Sequence, residues 1–187
     1  MSSKGPLPQP TAWRAVARCV VCTARLLAQR RIHQPREHLG QVLRFADGTL
    51  APVYRETAVD RDPTDPCVLV VSFRLRGVSG RGHALFRAES LLNTVLFVGF
   101  PGFVSKLWLA NDARGTYRGV YEWDGPAAAE AYARALWRVL ALVSVRGSID
   151  YRVVPGVRRD AVLRDPRLLE GVAPSEKAAW WRLLGAA

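Results

Sequence analysis

An α+β fold with the element order β-α-β-β-α-β is what this sequence predicts, and three observations carry it. Four runs alternate apolar and polar residues with a period of two: Cys67–Arg76, Phe103–Ala110, Thr116–Trp123 and Gly147–Pro155. Two stretches of helical period, His83–Phe97 and Pro126–Val143, fall after the first and third of them. Sharp punctuation marks the joints: Pro101-Gly102 turns the chain into the second strand, and Asp124-Gly125-Pro126 opens the second helix.

Each strand sorts into two faces. Leu69, Val71, Phe73, Tyr117, Tyr121, Trp123 and Tyr151 mark an apolar, aromatic face suited to lie under two helices. The other face mixes valines with Ser72, Arg74, Lys106, Trp108, Arg118, Glu122, Asp150 and Arg152. This is the pattern of a ferredoxin-like split βαβ repeat. Such a sheet alone leaves its second face open, so Val68, Val70, Val104, Val120 and Trp108 predict an interface. Two sheets packed face to face would bury it in a two-fold dimer, a dimeric α+β barrel.

The flanks are read as additions to that domain (67–155). Residues 1–66 are expected to hold a disordered lead of ten residues, an amphipathic helix Thr11–Arg31 and a β-hairpin. The hairpin pairs Gln41–Phe45 with Leu50–Val59 across Asp47-Gly48, which tolerate the positive φ of a tight turn. Pro52 suggests an edge strand. Residues 156–187 read as a helical tail: a short helix Arg158–Leu169, then one capped by Ser175 and ending near Leu184.

Composition narrows the class. Hydrophobic residues are 49% and charged residues 23% of 187, as in ordinary globular proteins. The net charge is +11, with Lys only at Lys4, Lys106 and Lys177, so nearly all of the basic residues are Arg. An Arg-for-Lys bias of this kind reads as a property of the genome more than as a nucleic-acid footprint. Three cysteines make no disulfide framework and point to a reducing cytoplasm. Ala12–Ala28 contains Arg14, Arg18 and Arg25, too many charges for a membrane span. The same helix, Thr11–Arg31, could touch a membrane surface or a partner protein. Cys19, Cys22, His33 and His38 approach a zinc-finger spacing, but the cysteines sit in an apolar helical run, so no metal site is expected.

One resemblance adds to this reading. Pro101-Gly102-Phe103, Lys106-x-Trp108, Gly119-x-Tyr121, Ala131-Tyr132 and Leu136 resemble the YdhR-like monooxygenases. That family lies in the dimeric α+β barrel superfamily, with the antibiotic biosynthesis monooxygenases. The resemblance covers about residues 67–155. It implies a homodimer, and a cofactor-independent oxygenase or cyclase acting on an aromatic or polyketide-like substrate in secondary metabolism. The alternative is a non-catalytic ligand-binding or assembly protein on the same fold.

The candidate catalytic residues follow from chemistry. His83 opens a helix and titrates near neutral pH, as a general base must. Asn93 is a polar group mid-helix. Trp108 offers a flat face to an aromatic ring, Tyr121 a phenol that needs a partner when buried, and Arg118 a cation for an enolate. Lys106, Tyr117, Glu122 and Arg152 are the substrate-binding candidates, although the acids and bases among them could equally pair with one another. The pocket falls either between helices and sheet (Asn93, Tyr117, Tyr121) or inside a two-sheet barrel (Lys106, Trp108, Arg118, Glu122). No dinucleotide fingerprint, P-loop or nucleophile elbow appears in the sequence, and no cofactor is expected.

Overall fold

The computed structural model describes residues 5–77, 97–170, 172 and 179–186. Its elements in order are α1 (Gln9–Ala28), β1 (Ile32–His33), β2 (Val42–Phe45), β3 (Leu50–Val59), β4 (Pro66–Arg74), β5 (Phe103–Leu109), β6 (Thr116–Asp124), α2 (Pro126–Val143), β7 (Asp150–Pro155), α3 (Arg159–Arg164), a 3-10 turn Pro166–Leu169, and β8 (Leu183–Ala186). The expected helix beginning at His83, with Asn93 in it, lies outside the described residues up to Phe97.

The strands form one antiparallel sheet in the order β7-β4-β6-β5-β3-β2-β8, with β1 beside β3. The expectation of a ferredoxin-like βαββαβ subunit closed by a second copy is overturned here. The four expected strands are neighbours, but the sheet does not end at β5. The β2–β3 hairpin pairs onto β5 through β3, so it is part of the sheet and not an appendage. β8 then adds to β2, where a helix was expected. The result is a curled sheet, half of a barrel, with three α-helices among the described residues.

The curl has a physical cause. Val68, Val70, Leu107, Val120 and Val154 make the second face apolar, and the chain covers it itself. Leu43, Phe45 and Val53 of the hairpin, Val162 of α3, Leu169, Trp181 and Leu183 close over it as one buried cluster. Arg118 ties this cover down. Its Nη1 donates to Asp112 at 2.7 Å, its Nη2 to Asp47 at 2.9 Å in the hairpin turn, and its Nε to the Trp180 carbonyl at 3.0 Å. Pro52 is not on an edge: it faces Val42 across the hairpin, and a register shift between Val53 and Arg55 takes up the irregularity.

α1 and α2 cover the first face. α1 starts at Gln9, ahead of the expected Thr11 cap, with Pro8 at its N-cap. Residues ahead of it lie across α2, whose Arg134 and Arg138 donate to the carbonyls of Gly5 and Leu7 at 3.0 and 2.9 Å. Ala12, Val16, Cys19 and Thr23 face inward. Gly99 lets α1 approach: a Cβ there would collide with the Cys19 carbonyl oxygen and the Thr23 amide nitrogen, both backbone atoms that cannot yield. Gly99→Ala is therefore expected to push α1 off the sheet and cost about 1–3 kcal/mol, read as a lower urea midpoint. An unchanged midpoint would show that α1 does not rest on this contact.

Candidate functional site

A single extra residue in β5 builds the site. The pairing of β5 with β6 runs Phe103 to Trp123, then skips to Ser105 opposite Glu122. Val104 is thus a bulge, and every later side chain of β5 moves to the other face. Leu107 and Leu109 join the second-face cluster, while Lys106 and Trp108 turn toward the helices. Strict alternation from Phe103 places them the other way round, and that is the physical reason the sequence reading put Lys106 and Trp108 on the far side.

Lys106 is nearly all buried, at 7% exposure, within aromatic rings. Its Nζ lies 3.1 Å from the centroid of the Trp108 ring, 4.5 Å from Phe97 and 4.7 Å from Tyr121. The Trp108 indole N–H donates to Thr57 Oγ1 at 3.1 Å, which fixes the ring. On the adjacent strand the Arg55 guanidinium carbon sits 5.1 Å from the same ring. Among the described residues no carboxylate pairs with Lys106. Burial holds its amine well below the ordinary 10.5, and the Arg55 charge pushes the same way. The ring faces favour the cation, yet desolvation is the larger effect for an amine with no counter-ion.

Beside the amine stands a pair of phenols. Tyr132 of α2 donates its hydroxyl hydrogen to the Tyr121 hydroxyl at 3.2 Å. Burial raises both phenols above their usual range, so both stay protonated. Tyr121, already accepting from Tyr132, keeps its own hydrogen to donate. Its ring lies over Gly119, where a Cβ would come within 2.7 Å of Tyr121 Cε2. Gly119 in turn faces Trp108 across the strands. Phe97 packs edge-on to Phe103, Trp108 and Tyr121, with centroids 5.3, 5.1 and 6.4 Å apart.

The structure gathers some of the expected site residues here and sends others elsewhere. Lys106, Trp108 and Tyr121 meet, although the reading had divided them between two alternative pockets. Tyr117 is on the same face but further along β6, stacked on Phe73 at 5.8 Å and 15°. Arg118, Glu122 and Arg152 are on the second face. Arg118 is the clamp described above, and Arg152 lies over Trp181 at 5.2 Å and donates to the Val172 carbonyl. Glu122 is buried at 6% exposure, and burial raises its carboxyl while the Arg159 charge opposes that rise. His83 and Asn93 lie outside the described residues.

A second polar group sits under α3. His38 Nδ1 meets Glu56 Oε2 at 2.9 Å, Arg159 Nη2 donates to Glu56 Oε1 at 2.6 Å, and Arg159 Nε donates to Asp160 at 2.7 Å. These contacts anchor α3 to β3, as a structural network does. Of the zinc-like quartet, Cys19 is buried and Cys22 exposed on different faces of α1, while His33 pairs with Asp60 and His38 with Glu56.

Sequence reasoning missed Phe97, Thr57, Arg55 and the Tyr132 hydroxyl as members of the site. Tyr132 had a signal, since Ala129, Tyr132, Ala133 and Leu136 mark the inward stripe of α2. Arg55 and Thr57 had none, because nothing in the sequence pairs β3 with β5. No protein-family model matches the chain, and no curated protein matches it.

The unfolded chain protonates Lys106 below 10.5, whereas the folded chain holds it neutral down to a lower pH. Between those values the unfolded state binds more protons, so this residue's contribution to stability rises with pH. Below the folded value, protonating the buried amine weakens the fold. Lys106→Met is accordingly expected to stabilise the chain at neutral pH by about 1–3 kcal/mol, with the gain shrinking as pH approaches 10.5. Urea titrations of both proteins across that range would read it. A variant less stable than the parent, by a margin that does not vary with pH, would sink the assignment of a neutral buried amine.

Proposed function

We propose that the chain is a small-molecule enzyme of secondary metabolism acting on an aromatic or polyketide-like substrate, with a proton transfer to Lys106 as its first step. The observation that carries this reading is a lysine buried against three ring faces with no acid among the described residues to neutralise it. A methionine would fill the same space at less cost in stability, so the amine calls for a chemical reason.

The arrangement suits removal of a proton from an activated C–H or O–H group. The neutral amine of Lys106 takes the proton, and the ring faces of Trp108, Phe97 and Tyr121 stabilise the ammonium so formed. The Tyr121 hydroxyl, oriented by Tyr132, donates to the oxygen on which negative charge collects. From there two outcomes share the same enolate. Attack of its carbon on a second carbonyl of the same substrate closes a ring, and Lys106 returns the proton to the new alkoxide. Reaction with dioxygen as co-substrate gives an oxygenase instead. The aromatic lining suits a flat substrate in either case. The three cysteines form no disulfide, which fits work in a reducing cytoplasm. Among the described residues no helix is long and apolar enough to cross a membrane.

The test uses 5-nitrobenzisoxazole, a flat aromatic whose ring opens on loss of one proton. The expected result is saturable ring opening that rises with pH through a midpoint below the ordinary lysine value. Lys106→Met should lower the rate by about a hundredfold or more, and Tyr121→Phe should lower it less. Ring opening that persists unchanged in Lys106→Met would overturn the proposal. Binding of the aromatic with no ring opening would favour a ligand-binding protein over an enzyme.

A further inference from the structure

α1 carries a second apolar stripe that the described residues leave exposed. Trp13, Ala17, Val20, Ala24 and Leu27 recur at the spacing of one helix face, and that face points to solvent. Trp13 is 43% exposed, Val20 39% and Leu27 52%, while Val21 at the margin is 70% exposed. The stripe spans about 21 Å along the helix axis. It is not the face that holds α1 to the sheet, since Ala12, Val16, Cys19 and Thr23 do that from another side. Arg14, Arg18 and Arg25 run alongside the apolar stripe, and all three are exposed.

The charge is as uneven as the hydropathy. Residues 1–36 contain seven Lys and Arg and not one Asp or Glu, whereas the other 151 residues hold twenty basic and all sixteen acidic residues. A little under a fifth of the chain therefore supplies +7 of the net +11. An apolar ridge with tryptophan at one end and arginines along its margin is the composition that settles at a lipid headgroup boundary. The tryptophan ring and the aliphatic chains enter the acyl margin, and the arginines stay level with the phosphates.

We propose that α1 docks this protein onto an anionic phospholipid surface, lying flat with Trp13, Val20, Val21 and Leu27 inserted and Arg14, Arg18 and Arg25 on the headgroups. Charge complementarity selects that occupant over a second copy of the chain, whose α1 has no acidic residue to meet the arginines. The helix is held rigid on the sheet from its other side, so the ridge is presented without a folding step. This surface does not depend on the chemistry assigned to Lys106.

The experiment is co-sedimentation of the full chain with vesicles, either of phosphatidylcholine alone or of phosphatidylcholine mixed with phosphatidylglycerol. Retention is expected on the mixed vesicles and should fall as salt screens the arginines. Replacing Trp13, Val21 and Leu27 together by Ser should lower partitioning about tenfold or more. Arg14→Glu, Arg18→Glu and Arg25→Glu together should lower it about a hundredfold. The same charge change at the exposed Arg44, Arg61 and Arg164 should leave most retention in place. No retention on mixed vesicles at low salt would overturn the proposal. So would an equal loss in the remote charge variant, or a dimer in vesicle-free solution that the Ser variant abolishes.

Discussion

Water cannot be left against both faces of this sheet. Val68, Val70, Leu107, Val120 and Val154 lie on the side away from α1 and α2. Burying each such side chain is worth about 1.5–3 kcal/mol, so the five together are comparable to the whole net stability of an ordinary domain, about 5–15 kcal/mol. The chain meets this constraint from within. The hairpin extends the sheet past β5, the curl brings its apolar side chains over the face, and the C-terminal segment with β8 closes it. Among the described residues, this face is covered by the chain's own side chains.

Covering that face from within leaves the other face to the helices and the aromatic cluster around Lys106. The bulge at Val104 makes the division work for β5, because Leu107 and Leu109 are needed on one side and Lys106 and Trp108 on the other. Without it Lys106 would stand among leucines and valines, with no ring face beside its amine. The same slip lets Trp108 reach Thr57 on β3, so the strand that extends the sheet also steadies the ring under the amine.

Strands β4, β5, β6 and β7 and helix α2 were legible because alternation, helical period and the Pro-Gly and Gly-Pro joints all agree there. α2, expected to start near Pro126 and run to about Val143, spans Pro126–Val143. Two things were not legible. The first is a long-range pairing: β3 finds β5 across more than forty residues, and alternation in each strand says nothing about which neighbour it takes. The second is the bulge. Both phases of β5 look acceptable, since Phe103, Ser105, Leu107, Leu109 and Val104, Lys106, Trp108 each contain enough apolar surface for either face. The motif residues Lys106, Trp108, Gly119, Tyr121 and Tyr132 nevertheless converge. Their spacing along the chain did not reveal which face of the sheet they share. β8 could not be distinguished from a helix end, because four residues are too few to show a period.

Gly119 and Tyr121 share one space. The phenol lies where a side chain on residue 119 would be, and Trp108 closes that space from the next strand. In an evolving lineage these three positions cannot drift independently. A larger residue at 119 becomes admissible only after the ring at 121 shrinks, and losing that ring removes the hydroxyl on which Tyr132 rests. The spacing Gly-x-Tyr is thus a covariance constraint written by shape, and it should persist in descendants of this chain for as long as the ring at 121 keeps its place over residue 119.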